Sequence, residues 1–276
     1  MQKLKPETIE LNMLLEAIFV RYGYDFRNYA KASIKRRVLS HLSDAGCQTI
    51  SALQHQILYS PQAFAKLLFK LSVNVTEMFR DPDFYLALKK EVFPQLLKRQ
   101  RIKIWHAGCS TGEEVYSLAI FLTEEGLYDR CHLYATDIDD HALSKARDAI
   151  YPVKEMKAFT TNYNNAGGRA SFSDYYRAKY DFAMLDKALK RNITFSNHNL
   201  ACDSVFGEMD LIFCRNVLIY FNRELQDRVI GLFKDSLAEN GVLCLGSRET
   251  IRVSKYTDVF EDMVPSQKIY RIKKQS

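Results

Sequence analysis

No stretch of this chain approaches the ~18–20 consecutive apolar residues that a membrane-crossing helix needs, so insertion into a bilayer is not expected. The first residues, MQKLKPETIELNML, mix charges and lack the apolar segment of a secretory signal, which points to a cytoplasmic protein. The six cysteines (Cys47, Cys109, Cys131, Cys202, Cys214 and Cys244) are scattered, with no CxxC pair. That pattern argues against a zinc site or a disulfide framework, and for buried free thiols in a reducing compartment. The six histidines show no metal-ligand spacing, so no metal is expected. Two nucleotide signatures are also missing. The chain has neither the GxGxxG of dinucleotide-binding folds nor the GxxxxGK[ST] of phosphate loops. Glycine and proline are modest, at 11 and 6 residues, and 47% of the chain is hydrophobic. Its 276 residues can therefore bury the core of one large domain or two small ones.

What charge there is lies unevenly. Residues 1–80 hold eleven Lys/Arg against six Asp/Glu, while the rest of the chain is nearly neutral within a total of +6. A local basic excess suggests an acidic partner for the N-terminal segment rather than a nucleic acid along the whole surface.

Residues 7–80 carry apolar residues at helical spacing, among them Ile9, Met13, Leu14, Ile34, Val38, Leu53, Ile57, Phe64, Leu67 and Leu71. Breaks at Gly23, Gly46 and Pro61 divide them into short helices, so residues 1–80 are expected to form a small all-helical domain. A helix is expected over 83–99, ended or bent by Pro94. Beyond it, strands at 103–108, 131–137, 193–199, 210–215 and 241–246 alternate with helices at 113–126, 139–149 and 222–239. Such alternation predicts an α/β domain over 81–276 with a mainly parallel sheet. The last stretch, VFEDMVPSQKIYRIKK, reads as an edge hairpin around Pro-Ser. Residues 151–192 break the alternation. They hold eight Tyr or Phe around NNAGG and suggest a small insert with hairpin strands.

The segment IWHAGCSTGEEVYSLA (104–119) passes from a strand through Gly108 and Gly112 into a helix headed by Glu113 and Glu114. Two carboxylates there would repel a pyrophosphate. In a doubly wound sheet the next strand's terminal acid suits ribose hydroxyls, and here ATDID supplies Asp137 and Asp139. S-adenosylmethionine meets these terms: a ribose and adenine, an amino-acid end, a sulfonium cation and no phosphate. Each feature also has a plainer reading. Acids favour helix N-termini, and an Asp after a strand is often a helix cap.

Together with SVNVTEMFRDPDFY (72–85), SNHNL (196–200) and CRNVLIYF (214–221), these stretches resemble the CheR family of S-adenosylmethionine-dependent methyltransferases, which esterify glutamates on bacterial chemoreceptors. The resemblance runs over nearly the whole chain. It implies a class I (Rossmann-like) methyltransferase sheet, an all-helical N-terminal domain and a small β-type insert. It implies that Asn74, Thr76, Arg80, Gly108, Glu114, Asp137, Asn199, Leu200, Arg215 and Asn216 hold the cofactor, with Glu114, and after it Glu113, near its amino-acid end. Arg80 and Tyr220 would face the transfer site, and S-adenosylhomocysteine would be the product. The family's usual aromatic pair before the motif arginine appears here as Met78 and Phe79. The resemblance further implies that the basic helix YAKASIKRRVLSHL, with Lys31, Lys35, Arg36, Arg37 and His41, meets acidic receptor helices.

Taken singly, these residues have structural alternatives. Asn74 could cap a helix, Arg80 could pair with Asp81 or Asp83, Tyr220 could be core, and Asn199 could form a turn. Three other functions remain to be weighed. A nucleic-acid methyltransferase would carry an amine-methylating motif such as [DN]PP[YFW] where CRNVLIY stands. A non-catalytic cofactor-binding module would have no need of Arg80, Asp137, Asn216 and Tyr220 together. A nicotinamide oxidoreductase would need the missing dinucleotide fingerprint. A monomer is expected.

Overall fold

The computed structural model describes residues 4–72 and 75–273. Four helices open the chain: α1 (Pro6–Tyr22), α2 (Lys31–Asp44), α3 (Ile50–Tyr59) and α4 (Pro61–Leu71). Their starts follow capping rules. Thr49 accepts the Ala52 N–H at 3.1 Å and Ser60 accepts that of Ala63 at 3.2 Å, with Pro61 in the first turn. Gly23 ends α1 in the left-handed conformation, with φ 78°. The helices share their own apolar core, which includes Leu14, Ile18, Ile34, Val38, Leu53, Ile57 and Leu67. His41 falls within this buried stripe, three residues beyond Val38, and not on the solvated face of α2.

The expected helix over 83–99 is broken into α5 (Pro82–Ala87), a π-helical turn (Leu88–Val92) and α6 (Phe93–Leu96). The wide turn lies just before Pro94, whose ring and missing N–H prevent a regular α-turn there. Strands β1 (Ile102–Ala107), β2 (Cys131–Asp137), β6 (Ile193–Asn197), β7 (Met209–Cys214), β8 (Leu237–Leu245), β9 (Phe260–Val264) and β10 (Ile269–Ile272) form one sheet in the order β6-β2-β1-β7-β8-β10-β9. The first five strands in that order pair in parallel, and β10 runs antiparallel to both β8 and β9. Every residue of β7 is buried, as expected of a strand covered on both faces. Helices α7 (Glu113–Glu124), α8 (Asp140–Asp148) and α10 (Arg223–Ser236) cover the sheet. Because β1 lies between β2 and β7, the strand order reverses at their carboxyl ends, where ligands of such sheets sit.

The insert contains a second sheet, β3 (Ile150–Pro152), β5 (Phe182–Leu185) and β4 (Tyr176–Lys179), antiparallel in the order β3-β5-β4. It also contains a helix absent from the sequence expectation, α9 (Val153–Asn165), which buries Met156, Phe159 and Tyr163. No helix among the described residues is long and apolar enough to cross a membrane.

The helical bundle is fastened to the sheet at several points around the switch point. Tyr29 bridges to Phe221, with ring centroids 4.8 Å apart. Ala30 N donates to Tyr220 O at 2.8 Å, Asn222 N to Asn28 O at 2.9 Å, and the Ser72 hydroxyl to Asp139 Oδ2 at 2.8 Å. These contacts place the bundle over the carboxyl ends of the strands and close a cavity there.

Candidate active site

The cavity spans about 990 Å³ including its open mouth. One wall is the loop from β1 to α7. Gly108 N and Cys109 N both donate to Thr136 O, at 2.8 and 2.9 Å. Gly108 has φ 80°, and a Cβ there would lie 2.6 Å from Val217 Cγ2, so only glycine allows this approach. The next strand ends in Asp137, whose two oxygens accept Ser110 N at 2.8 Å and Asp139 N at 3.0 Å. Burial pushes its carboxyl up to about 6, against the pull of those N–H donors. Asp139 has a different task. It caps α8, accepting His141 N at 2.9 Å.

The two glutamates at the start of α7 also diverge. Glu114 lines the cavity, and its Oε2 accepts Arg215 Nη1 at 2.8 Å. Burial alone would raise its pKa, but Arg215 and His106 outweigh burial and hold it below the ordinary glutamate value. Glu113 is buried on the other side of the helix start, accepts the Thr111 hydroxyl at 2.7 Å, and does not line the cavity. Burial pushes Glu113 up to about 7, with the Thr111 hydroxyl opposing.

Arg215, at the end of β7, is enclosed. Its side chain is 2% exposed and its guanidinium lies 4.0 Å over the Phe84 ring. It also gives Nη2 to Asp81 Oδ2 at 2.7 Å, tying β7 and α7 to the segment 75–81 that follows the helical bundle.

That segment presents Arg80. Its neighbours Phe79 and Asp81 both hold left-handed backbone, with φ 55° and 57°, at a cost of about 1–3 kcal/mol each. Both are locked. Asp81 is held by Arg215, whereas Phe79 sits fully buried among Phe121, Tyr163 and Phe172 at centroid distances of 5.1, 5.2 and 5.5 Å. Phe79 N donates to Ser117 Oγ at 2.9 Å, and Asn162 Nδ2 donates to Met78 O at 3.1 Å. The half-buried Arg80 lines the cavity and has no hydrogen bond or ion pair among the described residues, with Asp81 or Asp83 included. An arginine so held, without a carboxylate, is available to an incoming anion.

The structure thus brings Thr76, Arg80, Gly108, Glu114 and Asp137 into one cavity. Asn199, Leu200, Arg215, Asn216 and Tyr220 line it as well. Asn199 both lines the cavity and makes a turn, its Oδ1 accepting Ala201 N at 3.0 Å. Asn74 lies outside the described residues. Of the basic helix, Lys31 and Arg36 are exposed, and Lys35 pairs with Glu7 at 2.5 Å. Arg37 turns inward. It donates to Leu71 O at 2.5 Å and lies 4.7 Å over the Tyr220 ring. Among the described residues no cluster of three or more His, Cys, Asp or Glu could hold a metal ion. Sequence reasoning passed over Asp81, Phe26, Tyr29 and Val217, which depend on long-range packing. It also gave Glu249 no role.

Residues 74–269 match the S-adenosylmethionine-binding domain of the CheR methyltransferases, and residues 9–72 match their all-alpha domain. This chain belongs to the CheR methyltransferase family. It is an S-adenosylmethionine-dependent methyltransferase, and its cavity fits that cofactor: a glycine loop that only Gly108 lets pack against Val217, and a buried acid at the strand end. Among its relatives is a putative methyltransferase of Pseudomonas putida, Cher3, 53% identical over 263 residues and covering 95% of this chain and 96% of that one. A chemotaxis protein methyltransferase of Listeria innocua is 31% identical, covering 83% and 85% of the two chains. That of Borreliella burgdorferi is 29% identical, covering 89% of each.

The geometry of Arg80 generates a prediction. Phe79→Ala empties the aromatic cage and is expected to lower stability by about 3–5 kcal/mol in denaturant unfolding. In the folded fraction, methyl transfer should fall by more than S-adenosylhomocysteine affinity does, as read by calorimetry beside a turnover assay.

Proposed function

We propose that this CheR-family enzyme methylates glutamate side-chain carboxylates on a signalling protein, with a methyl-accepting chemotaxis receptor as the reading best supported. The observation that carries it is Arg80: a cation in the cavity near Tyr220 with no acidic partner among the described residues. The buried carboxylates of the cavity are already engaged, Asp137 by two backbone N–H groups and Glu114 by Arg215, which leaves the exposed Glu77 on the segment before Arg80. The Cys109 thiol is pushed well above its ordinary pKa by burial, so it stays protonated. An amine acceptor would need a base to take its proton. A carboxylate, with an ordinary pKa near ~4.3, arrives ionised and needs none.

In this reading Asp137 takes the ribose hydroxyls, Asn199 and Leu200 the adenine side, and Glu114 the amino-acid end, with Thr76, Arg215 and Asn216 completing the walls. Asn74 is assigned to the same group from the family motif. The bound cofactor supplies a methyl group already activated on a sulfonium. The chain's own residues align the acceptor and exclude water. Arg80 and the Tyr220 hydroxyl orient the carboxylate. Arg80 must hold it loosely, since a tight ground-state pair would raise the barrier. Phe26 and Tyr29, brought by the helical bundle, dry the cavity mouth.

The acceptor helix is read as acidic and as meeting α2, where Lys31 and Arg36 are exposed and Lys35 is half exposed. Arg37 lies between that surface and Tyr220. Such contacts set association rate and specificity, and weaken with salt. The names of the Listeria and Borreliella relatives support a chemotaxis setting, and a cytoplasmic monomer acting on receptor helices at the membrane's inner side follows from it.

Membranes from the source cell, incubated with the purified chain and S-adenosylmethionine carrying a labelled methyl group, should gain label on protein that mild base releases. The label should fall at least tenfold in Arg80→Ala. Base-stable label would sink the carboxylate reading in favour of an amine or nucleic-acid acceptor.

The pH dependence follows from Asp137. Its folded pKa of about 6 lies above its ordinary 3.8, so the folded chain binds this proton more tightly than the unfolded one. Asp137's contribution to the stability of the cofactor-free chain therefore declines as pH rises through that window, and is constant above it. Cofactor binding goes the other way, because the ribose hydroxyls need the ionised acid. S-adenosylhomocysteine affinity should be flat above about pH 6 and fall by about tenfold per unit below it, measured by calorimetry.

A further inference from the structure

Glu249 is a buried acid, 4% exposed, in the turn that follows β8. No lysine, arginine or histidine pairs with it among the described residues, and the methyl-transfer chemistry above makes no use of it. Its carboxylate is instead surrounded by backbone. Oε2 accepts Gly246 N at 2.6 Å and Asn216 N at 2.9 Å, and Oε1 accepts Ile219 N at 3.3 Å. A buried carboxylate without a counter-cation persists only where such donors replace water.

The recipients of these bonds matter. Asn216 and Ile219 belong to the segment that leaves β7 and forms part of the cavity wall through Asn216, Val217 and Tyr220. Asn216 holds left-handed backbone with φ 62°, which few residues other than glycine adopt unaided. Gly246 makes room for it: a Cβ there would lie 2.8 Å from Asn216 N and 2.9 Å from its Nδ2. On its far side the segment presses Val217 against Gly108 of the cofactor loop. At its end Tyr220 O is held by Ala30 N at 2.8 Å. Glu249 fixes the start of the segment from behind, and Gln226 Nε2 holds its middle by donating to Leu218 O at 2.9 Å.

The geometry points to Glu249 as a positioning residue for methyl transfer: its buried carboxylate sets the Asn216–Tyr220 segment at the height where Asn216 and Val217 complete the cofactor cradle and Tyr220 faces the acceptor. It touches neither cofactor nor substrate and acts through the backbone of the residues that do. The inference rests on the cofactor placement proposed above and is independent of which protein carries the acceptor.

Glu249→Gln keeps the size of the side chain but turns one acceptor into an NH2 that faces N–H donors. Glu249→Asp keeps both acceptors and shortens their reach. The expected order of S-adenosylhomocysteine affinity is parent, then Glu249→Asp, then Glu249→Gln, with the last at least tenfold weaker by calorimetry. The KM for S-adenosylmethionine should rise with it and kcat should fall. A merely structural role would act differently. It would reduce the folded, active fraction and so lower apparent kcat, with KM and affinity unchanged. That pattern, or a folded Glu249→Gln with parental affinity, overturns the inference. If Glu249→Gln does not fold, Glu249→Asp and Gly246→Ala, whose new Cβ pushes on Asn216, carry the same expectation and the same refutation. Asp137→Asn measured alongside separates the two claims. Parental affinity in that variant refutes the cofactor placement and this inference with it. Loss there, with parental affinity in the Glu249 variants, refutes this inference alone.

Discussion

One buried guanidinium joins the parts of the site. Arg215 leaves the end of the central strand β7 and reaches Glu114 at the start of α7 and Asp81 on the segment that carries Arg80. Removing an ion from water costs several kcal/mol, and two carboxylates with good hydrogen bonds offset that cost without making the cluster a large source of stability. Its Nε has no partner among the described residues. What the cluster supplies is registry. The cofactor loop, the central strand and the Arg80 segment cannot shift relative to one another without leaving a buried charge unpaired. Given that frame, Arg80 can be left without a carboxylate of its own, because its position is set by Asp81 on one side and the Phe79 cage on the other.

The same frame accounts for the unusual charge of a loop that resembles a phosphate cradle. Glu114 takes the arginine, Glu113 takes the Thr111 hydroxyl inside the turn, and Asp137 takes two backbone N–H groups. These three carboxylates are thus each fixed by a named donor, while the exposed Glu77 on the cavity lining has none among the described residues, a set of charges that suits a ligand bearing hydroxyls and a cation. Among the described residues that line the cavity, Arg80 is the cation without a carboxylate partner. The strained backbone at Phe79 and Asp81 flanks Arg80, and that at Asn216 lines the same cavity, as expected where function rather than stability selects the conformation.

The alternation of strands and helices was legible because parallel strands are continuous apolar runs and their helices are capped by recognisable residues. CHLYATD is a strand over its whole expected length. Helix α9 escaped notice because two of its three buried positions are aromatics and its second half is rich in Thr and Asn, which mimics strand and turn composition. Its Met156, Phe159 and Tyr163 nevertheless stand at helical spacing. The basic helix misled in part for a similar reason. A charge run says nothing about direction, yet Arg37 lies three residues after the buried Ile34 and so faces inward with it. Asp137 and Asp139 could each have been the ribose acid or the cap. Their hydrogen bonds separate them: Asp137 accepts backbone N–H groups of the β1–α7 loop and of Asp139, while Asp139 caps α8 and takes the Ser72 hydroxyl. Glu249 had no signal at all, and Asp81 was read only as a partner for Arg80, since their roles exist only when distant parts of the chain are brought to them.

The central claim is that Arg215 and Glu114 act as one unit in holding the cofactor site. A double-mutant cycle on S-adenosylhomocysteine binding tests it most directly, with Glu114→Gln, Arg215→Met and the double variant measured by calorimetry. The account predicts that the double variant binds no more weakly than the worse single one, a coupling of at least ~1.4 kcal/mol. Losses that simply add, to within about 0.5 kcal/mol, would show two independent residues and contradict it.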